Sequence, residues 1–326
     1  MTAAKNLREA YGQALVELGR KDRNVVALEA DLRNSTRSVL FYNEFPDRYF
    51  EMGIAEQNMT STAAGLALAG KIPFVHSFAV FCAGRAYDQL RNSICVPRLK
   101  VRICGSSAGL SDYGDGKTHQ AIEDMSIMRA LPNMTVLCPA DGIEMTKMME
   151  ASVDWDGPIY FRVNRNELPF VTPEDEPYHI GKMTTVHEGT DVAIFACGVM
   201  VSRGIEAAKA LAAEGVSVRV INASTVKPFD VDTAIELSRG VKAIVVAEEH
   251  TIIGGLGSAV VEALRSVTHA PVQFVGIEDS FGLSAENYEI LLDHFGLTAA
   301  AIIGAARELL DGRTPAGNGR EKVVSR

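Results

Sequence analysis

Two polar side chains lie at expected helix starts and have the chemistry for proton transfer. Glu56 opens an Ala- and Gly-rich helical segment within 53–70, and His119 is expected to begin another helix. A carboxyl and an imidazole can both exchange a proton with a bound molecule. A first-turn glutamate also favours the helix macrodipole, so position alone leaves a structural role for Glu56 open.

The stretch before His119 is the most informative loop in the sequence. Residues 105–118 read GSSAGLSDYGDGKT, which is rich in small and flexible residues and has little to gain from a packed core. Long irregular loops in compact domains are usually functional. Asp115 lies four residues before His119 and can orient a substrate hydroxyl.

Two other segments follow expected strands and suit ligand contact. Phe78 and Phe81 can form a wall for a flat heterocycle, although such a pair is also typical of a core. The segment EADLRNST at 29–36 carries Asp31 and Ser35 among other small polar groups. An N-cap for the next helix is its alternative interpretation.

The elements that position these residues follow an alternation of strands and helices. Short β-branched runs are separated by segments with apolar residues at helical spacing, which predicts α/β architecture with a parallel sheet covered by helices on both faces. Ligands collect at the carboxyl ends of such strands. A Pro- and acid-rich stretch at 170–181 marks a boundary. We predict a first domain at 1–172, a linker at 173–185, a second, smaller α/β domain at 186–312 and a flexible tail at 313–326.

Composition excludes several classes of function. The chain has 326 residues, enough for two domains, and 32 basic against 41 acidic residues give a net charge of −9. No basic run favours nucleic acid, and no signal peptide or apolar run near the length of a membrane helix is evident. The five cysteines form no C-x-x-C pair and are expected to be reduced and mostly buried. We expect a cytoplasmic protein with no membrane partner.

Familiar phosphate and metal motifs are incomplete in this sequence. The GDG at 114–116 lacks the later asparagine of a thiamine-diphosphate and metal fingerprint. The segment IGGLGS at 253–258 lacks the G-x-G-x-x-G spacing. We therefore predict neither a diphosphate site nor a metal site made by this chain alone.

Taken together, the motifs resemble the C-terminal half of transketolase, from about Arg8 to about residue 310. The resemblance rests on segments that occur in the family's order: REAYGQAL (8–15), EADLRNST (29–36), FPDRYFEMGIAEQNM (45–59), HSFAVF (76–81), AYDQLR (86–91), GDGKTHQAIED (114–124), LPNMTVLCPADGIE (131–144), TVKPFD (225–230) and EEHTIIGGLGSAV (248–260). It implies a pyrimidine-binding domain of the thiamine-diphosphate-binding fold, followed by a transketolase C-terminal domain. The family's diphosphate-binding domain has no counterpart in the sequence.

The resemblance assigns roles to matching residues. Glu56 matches the glutamate that hydrogen-bonds the aminopyrimidine of thiamine diphosphate and promotes its imino tautomer. Phe81 matches the aromatic that stacks on this ring, with Phe78 beside it. His119 matches the active-site histidine near the donor's hydroxyls, and Asp115 matches the aspartate that reads the hydroxyl beside the scissile bond.

The remaining assignments concern the substrate. Arg8, Ser35 and Arg165 match the sugar-phosphate contacts at the pocket mouth, and we place Asp31 and Ser107 in the same substrate-binding set. Ser107 stands where the family has a phosphate-contacting histidine. Lys117 replaces the usual proline, and Gly84 stands where bacterial members often have tyrosine. These departures leave the sugars open.

The implied activity is transfer of a two-carbon ketol unit from a ketose phosphate to an aldose. The implied partner is an N-terminal transketolase subunit that holds the diphosphate and Mg²⁺ or Ca²⁺, with two copies of each chain forming a heterotetramer. Three alternatives stay open: the beta subunit of a 2-oxoacid dehydrogenase, a fragment similar to deoxyxylulose-phosphate synthase, and a non-catalytic assembly subunit. The GDGKTHQ loop favours transketolase over the first.

Overall fold

The computed structural model describes residues 4–312 and divides them into two α/β domains. The tail expected at 313–326 lies outside the described residues. The expected α/β class is confirmed, with mostly parallel sheets flanked by helices. All five cysteines are buried and unpaired.

Between residues 4 and 172 the first domain has eight strands and seven α-helices. The strands are β1 (Ala4–Asn6), β2 (Val25–Glu29), β3 (Tyr49–Glu51), β4 (Ile72–Phe78), β5 (Arg102–Ser106), β6 (Thr135–Leu137), β7 (Ile159–Val163) and β8 (Glu167–Pro169). The helices are α1 (Leu7–Lys21), α2 (Arg33–Thr36), α3 (Val39–Glu44), α4 (Glu56–Leu68), α5 (Tyr87–Gln89), α6 (Asp124–Ala130) and α7 (Gly142–Asp154). Two π-helical segments flank α5, at Phe81–Arg85 and Leu90–Cys95, and 3-10 turns lie at Pro46–Arg48 and Gly116–Thr118.

The second domain is smaller. Its strands are β9 (Thr184–His187), β10 (Val192–Ala196), β11 (Val218–Asn222), β12 (Thr225–Lys227), β13 (Ala243–Thr251) and β14 (Val272–Ile277). Its helices are α8 (Met200–Ala212), α9 (Val231–Leu237), α10 (Leu256–Leu264), α11 (Tyr288–His294) and α12 (Ala299–Leu310).

The first sheet brings the expected loops to one edge. Its strand order is β12-β6-β7-β5-β4-β2-β3, and every pair except β12 with β6 is parallel. The carboxyl ends of β2, β4 and β5 are therefore neighbours, so the segments that follow Glu29, Phe78 and Ser106 meet there. Strands β2, β5 and β7 are buried along their whole length, as expected for strands of a parallel sheet that is covered on both faces.

The second sheet has the order β14-β13-β10-β11-β9, with only β9 antiparallel. Strand β9 begins at Thr184, inside the segment expected to be a linker. Strand β12 leaves this domain and pairs with β6, with Thr225 opposite Leu137. The second domain thus supplies the last strand of the first sheet.

Local sequence explains the start of the first helix. The Asn6 side chain accepts a hydrogen bond from the Arg8 amide at 3.0 Å, which caps α1, and Arg20 and Lys21 lie in its last turn. The helix expected at His119 begins instead at Asp124. The prediction was wrong at its first two residues because residues 116–118 form a 3-10 turn that ends at His119 and the Gln120 side chain donates to the Leu283 carbonyl of the second domain.

A buried polar network joins the two domains. The Arg162 guanidinium donates to the Asp124 carboxylate at 3.0 Å and to the Glu249 carbonyl at 2.7 Å. Asn164 donates to the Tyr288 hydroxyl at 2.8 Å. Buried charges are stable only when they are paired and hydrogen-bonded, so this network fixes how the domains pack.

Residues 288–310 are more apolar than the sequence pattern indicated. Tyr288–Leu310 has the length and apolar composition of a membrane span. In the structure α11 and α12 are separate helices divided by a turn at Gly296, and Leu292 and Ile302 are buried in the domain core. This arrangement is that of two helices of a folded domain.

Candidate functional site

Glu56 is a buried carboxyl with an unused oxygen. It is the first residue of α4 and is 2% exposed. Its Oε2 makes no hydrogen bond, and the Nη1 atom of Arg85 lies 3.9 Å from it. A buried polar atom without a hydrogen bond costs free energy, and a ligand that forms a hydrogen bond with it removes this cost. Glu56 is therefore suited to bind a ring nitrogen or another polar group.

Two aromatic rings are connected to this carboxyl through Arg85. Phe78 ends β4, and Phe81 begins the π-helical segment Phe81–Arg85. Their rings are stacked with centroids 6.2 Å apart and an interplanar angle of 16°. The Arg85 guanidinium lies 5.3 Å from the centre of the Phe81 ring and so contacts both Phe81 and Glu56. The three side chains form one wall against which a flat ring can stack.

His119 completes this wall. Its imidazole meets Phe81 edge-on at 5.4 Å and Phe78 edge-on at 6.1 Å between ring centroids. Thr118 Oγ1 lies 2.9 Å from His119 Nδ1, within hydrogen-bond distance. The structure therefore brings together Glu56, Phe78, Phe81 and His119, which the sequence places in three separate segments. A proton carrier near a stacking surface can act on a molecule held there.

Two arginines form a second, more polar part of the site. Arg8 donates to the Ser35 carbonyl at 2.8 Å, and Arg165 donates to the Asp112 carboxylate at 2.5 Å. Burial and the nearby Arg165 charge lower the pKa of Arg8 to about 10. The Arg8 Nε is buried without a hydrogen-bond partner. Two close guanidiniums with an unused donor favour a bound anion.

The charges of the polar part interact with those of the loop that carries Asp115 and His119. Burial raises the pKa of Asp112, Arg165 opposes this increase, and the charges of Asp115 and His119 also act on that carboxyl. Asp115 is exposed at the start of the 3-10 turn. These positions place the anion-favouring arginines beside the expected substrate groups.

The structure places two other expected substrate residues differently. Asp31 is exposed, has a left-handed backbone with φ of 62°, and its amide donates to Glu51 at 2.8 Å. Ser107 is fully buried with φ of 54°, and its Oγ has no hydrogen-bond partner. Asp31 is thus exposed to solvent after β2, whereas Ser107 is buried at the end of β5.

Sequence reasoning missed two functional candidates. Arg85 lies four residues after Phe81, and this spacing could have indicated a shared face. Asp112 is 53 residues from Arg165 in sequence, so no local pattern signals their pairing. Within residues 4–312, no group of three or more His, Cys, Asp or Glu side chains could hold a metal ion.

Two family models match the chain, one for each domain. The transketolase pyrimidine binding domain matches residues 3–171. The transketolase C-terminal domain matches residues 181–302.

Individual relatives match over nearly the whole chain. A putative transketolase C-terminal section from Methanocaldococcus jannaschii is 40% identical, covering 91% of this chain and 94% of the relative. The 6-deoxy-6-sulfo-D-fructose transketolase subunit SqwH of Clostridium sp. strain MSTE9 is 39% identical, covering 94% of each. A solved structure described as a split gene transketolase, inactive beta4 tetramer, has a TM-score of 0.86 and 43% identity, covering 96% of this chain and 100% of the other.

Proposed function

The chain belongs to the transketolase family, and from this membership we propose that it is the C-terminal subunit of a split, two-chain transketolase. The proposed reaction transfers a two-carbon ketol unit from a ketose phosphate to an aldose. Support comes from relatives of matching length whose names contain "C-terminal section" and "subunit". The transferase class follows from the family itself.

The observation that carries the proposal is the buried Oε2 of Glu56, which makes no hydrogen bond. Transketolases depend on thiamine diphosphate, and the stacking wall of Phe78 and Phe81, which Arg85 connects to this carboxyl, fits its pyrimidine ring. When bound, the cofactor supplies the electron sink that ketol transfer needs. We propose that Glu56 holds a proton against a ring nitrogen and that His119 exchanges a proton with the donor's hydroxyls.

The two arginines define the proposed anionic end of the substrate. Arg8 and Arg165 lie close enough for their charges to interact, and Arg8 has an unused donor. A phosphate group at the end of a ketose would satisfy both guanidiniums. Asp115 is proposed to select the hydroxyl configuration nearer the reacting carbon. One relative is named for a sulfonated ketose, so a sulfonate is the natural comparison substrate.

The proposed partner is an N-terminal transketolase subunit that holds the diphosphate and a divalent cation, Mg²⁺ or Ca²⁺. We propose that two copies of each chain form a cytoplasmic heterotetramer. The solved tetramer of a similar chain is described as inactive, which agrees with a requirement for a second subunit. The five buried, unpaired cysteines are compatible with a reducing compartment.

The test compares two glutamate variants in the pair reconstituted with the partner subunit. Glu56→Gln removes the proton that the proposal places on the carboxyl, and turnover should fall at least about 100-fold. Glu289→Gln is the matched control, because Glu289 also lies in a first helical turn but is exposed and pairs with Arg203. Full ketol transfer by the Glu56 variant would refute the assigned role.

A further inference from the structure

Residues 282–285 of the second domain form a strap across the loop of the first domain that carries Asp115 and His119. The Gln120 Nε2 donates to the Leu283 carbonyl at 2.9 Å, and the Ala285 amide donates to the Tyr113 carbonyl at 2.8 Å. These bonds attach both ends of residues 113–120 to the other domain. The strap, meaning residues 282–285, lies outside the site described above.

Gln120 links the strap to the loop from inside the protein. It is 3% exposed, and the same Nε2 also donates to the Asp112 carbonyl at 3.1 Å. One amide group therefore joins the beginning of the loop, its end and the second domain. The Asp112 carboxylate in turn accepts a hydrogen bond from Arg165, so Gln120 is connected through Asp112 to one of the two arginines of the proposed anion site.

The contact between strap and loop has no spare space. A Cβ atom added to Gly282 would lie 1.8 Å from the Gln120 Oε1, and one added to Gly116 would lie 2.2 Å from the Ser284 Oγ. Real Cβ atoms do not approach other atoms this closely, so any added methyl group must displace one side. The packing and the two hydrogen bonds act on the same few residues.

The loop transmits this constraint to His119. The Gly116 carbonyl accepts from the His119 amide at 2.9 Å and from the Gln120 amide at 3.2 Å, which closes the turn between Asp115 and His119. A displacement of Gly116 or Gln120 therefore shifts the imidazole. The strap has no exposed carboxylate or imidazole of its own with which to act on a substrate.

A second set of contacts secures the outer parts of the loop. The Leu110 amide donates to Glu249 Oε1 at 2.8 Å, and the Thr251 amide donates to the Ile122 carbonyl at 2.7 Å. A Cβ atom at Gly109 would lie 2.5 Å from the Glu249 carboxyl carbon. The outer parts of the loop are therefore held by β13 and its middle by the strap.

From these contacts we infer that the strap is a positioning element for donor recognition and that Gln120 is a positioning residue. The inference rests on the proposed function, because it concerns Asp115 and His119 acting on the donor sugar. It gives the second domain a role in the reaction: holding the first domain's substrate loop in its reactive conformation. Glu56, Phe78 and Phe81 lie outside the strapped segment, so cofactor binding should depend on the strap much less than donor recognition does.

The experiment uses Gly282→Ala in the reconstituted pair, with Gly304→Ala as the matched control. Both place a methyl group in the second domain, but nothing lies within 4 Å of the Cβ position at Gly304. Misplacing a catalytic group by a fraction of an ångström should lower kcat/KM for the donor ketose about 10- to 100-fold in Gly282→Ala. Thiamine diphosphate affinity, measured by calorimetry, should stay within about twofold of wild type. The control should match wild type in both.

A second variant avoids adding any atom to the strap. Gln120→Leu keeps the side chain's approximate volume but cannot donate to Leu283, and it should show the same selective loss. The double variant with Gly282→Ala should lose less kcat/KM for the donor ketose than the product of the two single losses. Both substitutions disrupt the same contact between Gln120 and the strap. Equal donor kinetics in Gly282→Ala and Gly304→Ala, or a parallel loss of cofactor affinity, would overturn the inference.

A readout without turnover separates this inference from the proposed function. In the described loop, the amides of His119 and Gln120 should exchange hydrogen about tenfold faster in Gly282→Ala than in the control. If the wild-type pair transfers no ketol group but exchange still increases, the proposed function fails while the strap contact stands. If hydrogen exchange is unchanged while ketol transfer is normal, the inference about the strap is refuted and the proposed function stands.

Discussion

Glu29 is a buried carboxyl that should make stability depend on pH. Burial raises its pKa from 4.5 to about 7, opposed by hydrogen bonds from Ser38, Thr36 and the Ala30 amide. The folded protein therefore binds more protons than the unfolded chain between these values. The stabilisation that Glu29 gives the folded protein is therefore fully present below pH 4.5 and is lost as the pH rises through about 7. A pKa difference of about 2.5 corresponds to about 3 kcal/mol.

Glu29→Gln removes this titration while keeping the contacts. The glutamine oxygen can accept from the Ala30 amide, and its NH₂ group can donate to the hydroxyls of Thr36 and Ser38, which lie 2.6 Å from the Glu29 Oε2. Near pH 4.5 the variant and wild type should have similar free energies of unfolding. Near pH 8 the variant should be more stable by about 3 kcal/mol.

Urea unfolding of the purified chain at both pH values measures this difference directly. Glu188→Gln is the control for the substitution itself, since Glu188 is exposed, and its free energy of unfolding should stay close to that of wild type. If Glu29→Gln differs from wild type by the same free energy of unfolding at both pH values, the reasoning is refuted. That result would mean that Glu29 does not carry its proton in the folded protein.

Three further predictions concern single contacts. Arg165→Ala breaks the pair with Asp112 and removes a guanidinium from the proposed anion site, so KM for a phosphorylated donor should rise about 10- to 100-fold. An equal effect on an unphosphorylated donor would contradict this. Arg102→Leu leaves three backbone carbonyls without their charged donor and should lower the urea-derived free energy of unfolding by about 1–3 kcal/mol. Tyr11→Phe removes the 2.8 Å hydrogen bond to His76 and should cost about 1 kcal/mol in the same assay, whereas no loss would show that this bond is not stabilising.

The fold was predictable where burial leaves a continuous pattern. Strand β10 is apolar over all five residues and β2 over its first four, and both are buried on both faces, so the sequence displays them directly. The short strands β1, β3 and β12 have only three residues each, too few to show a period. Strand β12 also depends on pairing with a distant strand of the other domain, which local sequence does not encode.

The sequence indicates which residues form the site, but it does not indicate the contacts that hold them in place. Glu56 stands at the helix start expected from its segment. The EADLRNST segment was less clear, because Glu29 ends a strand and bonds Thr36 and Ser38 instead of capping a helix. The hydrogen bond from Gln120 to Leu283 depends on how the two domains pack. The two residues are 163 positions apart, so no local pattern in the sequence indicates their contact.

The most direct test of the two-subunit account is calorimetric titration of thiamine diphosphate with Mg²⁺. The ligand is titrated first into this chain alone and then into the chain mixed with its partner subunit. The account predicts binding only in the mixture, and Glu56→Gln should weaken it. Tight binding to this chain alone would show that it contains its own diphosphate site and would contradict the split-subunit proposal.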